Sequence, residues 1–199
     1  MTGGHADNAS DLRDGGSRHR LFFALSPDVG VGAAIADTVE RLCDQATPGG
    51  RRVGRHRYHL TLQFLGEFHE FPEALAQVAL AAGSCVNTPG FSLMLDRASS
   101  FDNRGRVWWV GPASVPPELV ALTQQLGDAL QQRGVPRPTQ RFTPHVTTLR
   151  NARRALPQPV TIAPIPWPVR SFALVHSRDD VHGYKMLREW SLSEPGADR

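Results

Sequence analysis

Two tripeptides carry the residue types best suited to chemistry: His59-Leu60-Thr61 and His145-Val146-Thr147, 86 residues apart in a chain of 199. Each lies in a stretch typical of a β-strand, where side chains at i and i+2 point to the same face. Each tripeptide therefore presents an imidazole beside a hydroxyl. Two such strands facing each other would offer two histidines and two threonines to one substrate. This combination suits acid–base chemistry on a phosphate.

Strands and helices of ordinary length must position these tripeptides. Alternating and continuous apolar runs predict strands, near-helical apolar spacing predicts helices, and Gly and Pro clusters predict the turns between them. Gly66 is expected to close the strand of the first tripeptide, and the Pro-rich stretch 157–168 reads as a connector. The predicted strands are 20–25, 58–65, 91–95, 107–110, 141–150, 169–177 and 184–192; the predicted helices follow Ser26-Pro27-Asp28, span 72–85 and run from Pro116 to about 133.

The order strand, helix, His-x-Thr occurs twice along the chain, once before His59 and once before His145. This repetition indicates an internal duplication. It predicts an α+β fold with two pseudo-symmetric lobes, each an antiparallel sheet with flanking helices, around a central cleft. We expect residues 1–18 to be a disordered tail, 19–193 to form the bilobal domain and 194–199 to be a flexible C-terminal tail.

Composition narrows the class of protein. Hydrophobic residues make up 40% of the chain, enough for a core, and charged residues 21%. Two cysteines make no disulfide framework. No apolar run approaches the length of a membrane span, and the first 17 residues hold no apolar segment typical of a signal peptide or anchor. We therefore expect a cytoplasmic monomer without a membrane partner.

Arginines cluster beside both tripeptides, and arginine suits bidentate contacts to phosphate. A solvated basic loop is the structural alternative for any single arginine, but two clusters that each flank a histidine favour a phosphate ligand. The basic residues before the first tripeptide are Arg51, Arg52, Arg55, His56 and Arg57, and those around the second are Arg137, Arg141, Arg150, Arg153 and Arg154.

The flanks of the tripeptides resemble a known family. The stretch 59–66, HLTLQFLG, resembles the HxTLxFLG signature of the RNA 2′,3′-cyclic phosphodiesterases, also called 2′-5′ RNA ligases, of the 2H phosphoesterase superfamily. The stretch 142–150, FTPHVTTLR, resembles the second family element, F-x-P-H-[ILV]-T-x-x-R. The similarity covers roughly residues 20–192 and implies the 2H phosphoesterase fold. A single HxT motif is weak evidence for this family, but two HxT motifs with these flanking residues are specific to it.

The resemblance implies metal-independent hydrolysis of RNA or nucleotide 2′,3′-cyclic phosphates to 2′-phosphates, with RNA ends or cyclic nucleotides as partners. His59 would be the general acid on the leaving 3′-oxygen and His145 the base that activates water, although spacing alone cannot say which histidine plays which part. Thr61 and Thr147 would donate to the phosphate oxygens. We expect no metal and no cofactor, because no Cys, Asp or Glu completes a nearby ligand set.

Arg150 and Phe142 are the further substrate-binding candidates. The family carries a phosphate-contacting arginine where Arg150 stands, but strand alternation alone puts Arg150 on the face opposite His145, so the strand must end or bend there. Phe142 is the best candidate for stacking on a nucleobase. Other aromatic candidates, Phe22, Phe23 and Trp108, are more typical of a core, and one of Trp108 and Trp109 is expected to face the cleft. Thr148 departs from the family by replacing an apolar residue.

Two alternative functions stay open from sequence. The same histidines could run the reverse reaction, joining tRNA half-molecules through a 2′-5′ bond, and a substrate such as a cyclic ADP-ribose phosphate is a further option in the superfamily. A non-catalytic module that binds RNA termini would also explain the basic clusters and aromatics. Paired histidines favour an enzyme, since binding alone would be served as well by Arg or Lys.

Overall fold

A computed structural model describes residues 17–101, 105–137, 142–156, 158–178 and 183–194. The expected N-terminal tail, apart from Ser17 and Arg18, and most of the expected C-terminal tail lie outside the described residues. The described residues form nine strands, three α-helices and a short 3₁₀ turn. In chain order these are β1 (His19–Leu25), α1 (Val29–Ala46), β2 (Arg51–Arg52), the 3₁₀ turn (Arg55–Arg57), β3 (Leu60–Phe68), α2 (Glu73–Gly83), β4 (Phe91–Phe101), β5 (Val107–Gly111), α3 (Pro117–Gln131), β6 (Val146–Arg150), β7 (Val160–Val169), β8 (Ser171–Arg178) and β9 (Tyr184–Ser191).

The sheet consists of two antiparallel halves. Its strand order is β7-β4-β5-β6-β3-β1-β8-β9, and β2 pairs with β6 at the side. The halves β3-β1-β8-β9 and β6-β5-β4-β7 meet at one residue pair, Leu60 of β3 with Val146 of β6. Each half thus begins with the strand that carries a His-x-Thr tripeptide. The predicted α+β fold with two pseudo-symmetric antiparallel lobes is confirmed.

The helices tie the halves together. Asp28 caps α1 by accepting a hydrogen bond from the backbone N–H of Val31 (2.8 Å), and Ile35 and Val39 lie on its buried side. Although α1 follows β1, it packs on β7 of the other half, and α3, which follows β5, packs on β3. The buried apolar side chains of both halves accordingly form one main core.

The Pro-rich stretch 157–168 is not a connector, and that prediction was wrong. Residues Val160–Val169 form β7, which lies at the end of the sheet beside β4. Pro164, Pro166 and Pro168 occupy alternate, exposed positions. On an edge strand every second backbone nitrogen points away from the neighbouring strand, so prolines spaced by two remove no ladder hydrogen bond.

The strand of the first tripeptide is longer than predicted. Gly66 lies inside β3 with a φ of 145°, and pairing with β1 continues past it to Phe68. A Cβ at Gly66 would stand 2.6 Å from the ring of Phe68, which explains the need for glycine within this strand. Strand β4 likewise runs six residues beyond its predicted end, to Phe101. No helix among the described residues is long and apolar enough to cross a membrane.

Candidate active site

The two tripeptides lie side by side at the junction of the halves. Leu60 and Val146, the middle residues, are antiparallel partners and are fully buried. The histidine and threonine on either side of each must point the opposite way, out of the core. Continuing the antiparallel register by one residue in each direction sets His59 beside Thr147 and His145 beside Thr61. One face of the sheet therefore presents both predicted pairs together.

Both histidines are oriented by the same backbone contact. Nδ1 of His59 donates to the carbonyl of Arg57 (2.8 Å), and Nδ1 of His145 donates to the carbonyl of Thr143 (2.7 Å). A carbonyl only accepts, so each contact fixes the proton on Nδ1 of the neutral ring. In both imidazoles Nε2 is then the nitrogen left to exchange a proton with a ligand.

An aromatic ring meets each histidine edge-on. The ring of Tyr184 lies 4.9 Å from that of His59 at an interplanar angle of 85°, and Phe101 stands in the same relation to His145. Phe22 also contacts His59, at 5.1 Å between ring centroids. Neither Tyr184 nor Phe101 was singled out from sequence, because both come from strands distant along the chain and only the fold brings them to the tripeptides.

Burial holds both imidazoles neutral. Burial first, and to a smaller extent the positive charge of Arg150, lower the pKa of His59 from 6.5 to about 4, against the effect of the Arg57 carbonyl. The pKa of His145 is lowered by the same causes, burial first and then Arg150, against its own hydrogen bond to Thr143. An anion bound between the rings would act in the opposite direction and favour protonation.

A β-bulge brings Arg150 to the side of the histidines. Trp109 pairs with Thr147 and Trp108 with Leu149, so Thr148 is an extra residue in β6. The extra residue reverses the alternation, and Arg150 shares a cavity with His59 instead of facing away. The hydroxyl of Thr148 donates to the carbonyl of Trp108 (3.1 Å), which explains a polar residue at a position that is 2% exposed.

An equivalent bulge in β3 displays Phe64. Phe23 pairs with Gln63 and Ala24 with Thr61, which leaves Leu62 as the extra residue. Phe64 therefore returns to the face of Thr61, and its side chain is 49% exposed. Sequence reasoning missed Phe64, although one signal was available: it follows His59 by five positions, as Arg150 follows His145.

Two adjoining cavities open on this face and share Thr61 and Phe64. The His59 cavity has a volume of about 510 Å³, and its lining includes Phe22, His59, Thr61, Phe64, Arg150 and Tyr184. The His145 cavity has a volume of about 520 Å³, and its lining includes Thr61, Phe64, Thr123, Arg137, Phe142 and His145. Thr147 lines neither cavity; it is half-buried at the register position beside His59.

The aromatic candidates from sequence separate into core and cavity residues. Phe23 and Trp108 are buried in the core, and Trp108 Nε1 donates to the carbonyl of Arg154 (2.8 Å). Phe22 is 4% exposed but contacts His59, and Phe142 is half-buried at the wall of the His145 cavity. Of the two adjacent tryptophans, Trp109 lies near His145, with 6.1 Å between ring centroids.

Within the described part of the chain, no group of three or more His, Cys, Asp or Glu side chains is arranged to hold a metal ion. The functional groups that the described site presents are two imidazoles, threonine hydroxyls and guanidinium groups. These groups can transfer protons and can donate hydrogen bonds to an anion with a phosphate's geometry.

Known proteins share this sequence and fold. A family model described as the 2′-5′ RNA ligase superfamily matches residues 28–181. The RNA 2′,3′-cyclic phosphodiesterase of Escherichia coli (strain K12) is 32% identical over 178 residues, covering 88% of this chain and 97% of that protein. The protein of the same name from Thermus thermophilus is also 32% identical, over 186 residues, covering 87% of this chain and 90% of its own length.

Solved structures agree with the sequence comparisons. The apo crystal structure of E. coli LigT superposes with a TM-score of 0.69 at 32% identity, covering 89% of this chain and 99% of that one. The crystal structure of TT0787 from Thermus thermophilus superposes with a TM-score of 0.70 at 30% identity, covering 88% and 99%. With more than two thirds of the chain inside the family model and these relatives matched over nearly their whole length, the chain belongs to the 2′-5′ RNA ligase superfamily.

Proposed function

We propose that this protein hydrolyses 2′,3′-cyclic phosphates of RNA or nucleotides to 2′-phosphates, without a metal. The observation that carries the proposal is the pair of equivalent histidines, each with Nδ1 bonded to a backbone carbonyl and Nε2 left for proton exchange. The name of the 32% identical relatives, RNA 2′,3′-cyclic phosphodiesterase, supports the same reaction.

The reaction needs one base and one acid. Nε2 of His145 takes a proton from water as the water oxygen attacks phosphorus, and the bond from phosphorus to the 3′-oxygen breaks. Nε2 of His59 gives its proton to that 3′-oxygen, so the product carries a 2′-phosphate. The acid must be protonated before the step, and the negative phosphate supplies the charge that raises the lowered pKa of His59.

Hydroxyls and a guanidinium stabilise the charge on the phosphate. Thr61 and Thr147 stand beside the histidines in the sheet register and donate to the non-bridging oxygens. Arg150 adds a charged donor from the His59 cavity. The exposed Phe64, which lines both cavities, offers a surface on which the base next to the cyclic phosphate can stack, and Phe142 offers a second stacking surface in the wall of the His145 cavity.

A product assay tests this proposal. Purified protein is incubated with 2′,3′-cyclic AMP in the presence of EDTA, and the products are separated chromatographically. We expect 2′-AMP as the product, formed at the same rate as in an incubation without EDTA. Formation of 3′-AMP would contradict the assigned leaving group, and loss of turnover with EDTA would contradict metal independence.

Joining of RNA ends through a 2′-5′ bond is the second candidate function. The description of the matching family model, the 2′-5′ RNA ligase superfamily, favours it. A 5′-hydroxyl of RNA would take the place of water, give its proton to His145 and form a 2′-5′ bond, while His59 protonates the leaving 3′-oxygen as in hydrolysis. Incubation of a cyclic-phosphate end with a 5′-hydroxyl end tests it through the appearance of a joined product. A binding module without turnover is excluded by any hydrolysis that depends on the histidines.

A monomeric state, a cytoplasmic location and a single domain over residues 19–193 stay predictions from the sequence. The described residues support the last of these, because one main apolar core includes side chains from both halves of the sheet. Size-exclusion chromatography with light scattering tests the oligomeric state, and a fragment of residues 19–193 that folds and turns over tests the domain limits.

A further inference from the structure

Arginines of the segment before His59 divide into two groups. Arg52 pairs with Glu40 (3.6 Å) and Arg55 with Asp37 (3.7 Å), both carboxylates of α1. Arg51 and Arg57 instead line the His59 cavity, and in the described part of the chain neither forms an ion pair with a carboxylate. Carboxylates of α1 thus neutralise Arg52 and Arg55 but not Arg51 and Arg57.

The cavity arginines are held close to like charges. Arg51 is the cross-strand partner of Arg150, an arrangement that is unfavourable in a sheet unless an anion lies between the guanidinium groups. The guanidinium of Arg57 lies over the ring of Tyr184, 5.1 Å from its centroid, and Tyr184 in turn contacts His59. Burial lowers the pKa of Arg150, Tyr184 opposes this, and the repulsion of Arg57, Arg20 and Arg51 adds to it. These four guanidinium groups line one cavity, and an anion bound there would relieve their repulsion.

Among the described residues, the unpaired positive charge lies on the His59 side of the histidine pair. In the His145 cavity the charged side chain is Arg137, and it is paired with Asp128 on α3. The other described side chains that line this cavity, among them Thr123 and Phe142, carry no formal charge. As far as the described residues line them, the two cavities therefore differ: the His59 cavity carries unpaired arginines, and the His145 cavity is partly aromatic with its arginine paired.

One cyclic phosphate does not account for the anion site. A cyclic phosphate carries a single negative charge, and the threonine hydroxyls with Arg150 suffice for its two non-bridging oxygens. The His59 cavity, at about 510 Å³, is of the size that takes a whole nucleotide-sized ligand. Arg51 and Arg57 are left without a role in binding the reacting phosphate.

We propose that Arg51 and Arg57 bind a second phosphate, the one attached to the 5′-oxygen of the ribose that carries the cyclic phosphate. This inference rests on the proposed function. With His59 as the acid on the 3′-oxygen, an in-line displacement puts the ribose on the His59 side and water on the His145 side. The 5′ substituent of that ribose then lies in the cavity with the arginines. In an RNA end it is the internucleotide phosphate.

The test compares kcat/KM for three substrates that carry the same terminal base. They are a dinucleotide that ends in a cyclic phosphate, the same dinucleotide with a neutral methylphosphonate linkage, and the mononucleoside cyclic phosphate. We expect kcat/KM for the charged dinucleotide to exceed that for the neutral one roughly tenfold or more, as for a charge-assisted hydrogen bond. Arg51→Gln and Arg57→Gln should each reduce this ratio severalfold. Arg55→Gln, which removes an equal charge from a carboxylate-paired arginine, should leave it unchanged.

A binding measurement separates this inference from the proposed function. Affinities of the 2′-phosphate dinucleotide, its methylphosphonate analogue and 2′-AMP are measured by calorimetry, which needs no turnover. Equal affinities for charged and neutral dinucleotides, or the same ratio in Arg51→Gln as in Arg55→Gln, would overturn the second phosphate site. Absence of turnover with the charge preference intact would overturn the proposed function and leave the site standing. If a mononucleotide with an added 5′-phosphate binds as tightly as the charged dinucleotide, the site is assigned to a phosphate monoester at the 5′-oxygen.

Discussion

Phe64 and Arg150 occupy equivalent positions in the two halves of the sheet. Each lies five residues after a histidine, and each reaches the histidine face because one extra residue, Leu62 or Thr148, reverses the strand alternation. Both line the His59 cavity. The duplicated framework thus presents an aromatic ring from one half and a guanidinium from the other, as expected for a site that binds a base and a phosphate.

Phe64 is expected to contribute to nucleotide affinity by stacking. Phe64→Ala should weaken binding of 2′-AMP by about tenfold, in the range for one base on one aromatic ring, and should not weaken binding of ribose 2′-phosphate, which has no base. Calorimetry gives both affinities. Met186→Ala, at a side chain equally exposed outside the cavities, is the control. Equal losses for the two ligands would contradict stacking.

Arg150→Gln should raise the pKa of both histidines. The positive charge of Arg150 lowers the pKa of His59 and of His145, so its removal makes each ring easier to protonate. Titration of the imidazole resonances by NMR measures the two values. Arg55→Gln removes the charge of an arginine that is paired with Asp37, and it should move neither histidine pKa. Unchanged histidine pKa values in Arg150→Gln would contradict an electrostatic effect of Arg150 on the two rings.

Thr148→Val should destabilise the bulge that positions Arg150. The substitution keeps the shape but removes the donor to the buried carbonyl of Trp108, at a cost of about 1–3 kcal/mol in the free energy of unfolding. Thr123→Val is the matched control, since that buried hydroxyl bonds only to carbonyls of its own helix. Denaturant unfolding gives both values. Equal, small effects in the two variants would mean that the hydroxyl does not hold the bulge.

Stability should fall as the pH is lowered from about 6.5 to 4 because of His59. Above that range the ring is neutral in the folded and the unfolded chain. Within it the unfolded chain binds a proton that the folded chain, with its pKa of about 4, does not. The effect is at most about 3 kcal/mol at 1.36 kcal/mol per pKa unit. His59→Asn should therefore flatten the pH dependence of unfolding relative to the wild type; parallel curves for the two proteins would contradict this.

The fold and the histidine pairs follow from local patterns, whereas the bulges do not. Strand alternation is enough to predict that His59 and Thr61 share a face. The same rule wrongly predicts that Phe64 and Arg150 face away, because the extra residues at Leu62 and Thr148 are set by pairing with strands distant in the chain. Thr148 bonds to Trp108, 40 residues away. The Pro-rich β7 was misread for a related reason, since its place at a sheet edge is a property of the tertiary structure.

The central claim is that His59 and His145 together catalyse cyclic-phosphate hydrolysis. Its most direct test is kcat/KM for 2′,3′-cyclic AMP, with EDTA present, in the wild type, His59→Ala and His145→Ala, with circular dichroism to verify folding. We expect each substitution to lower the rate by at least about 100-fold, the usual contribution of a general acid or base. Full activity in either folded variant would contradict the two-histidine mechanism.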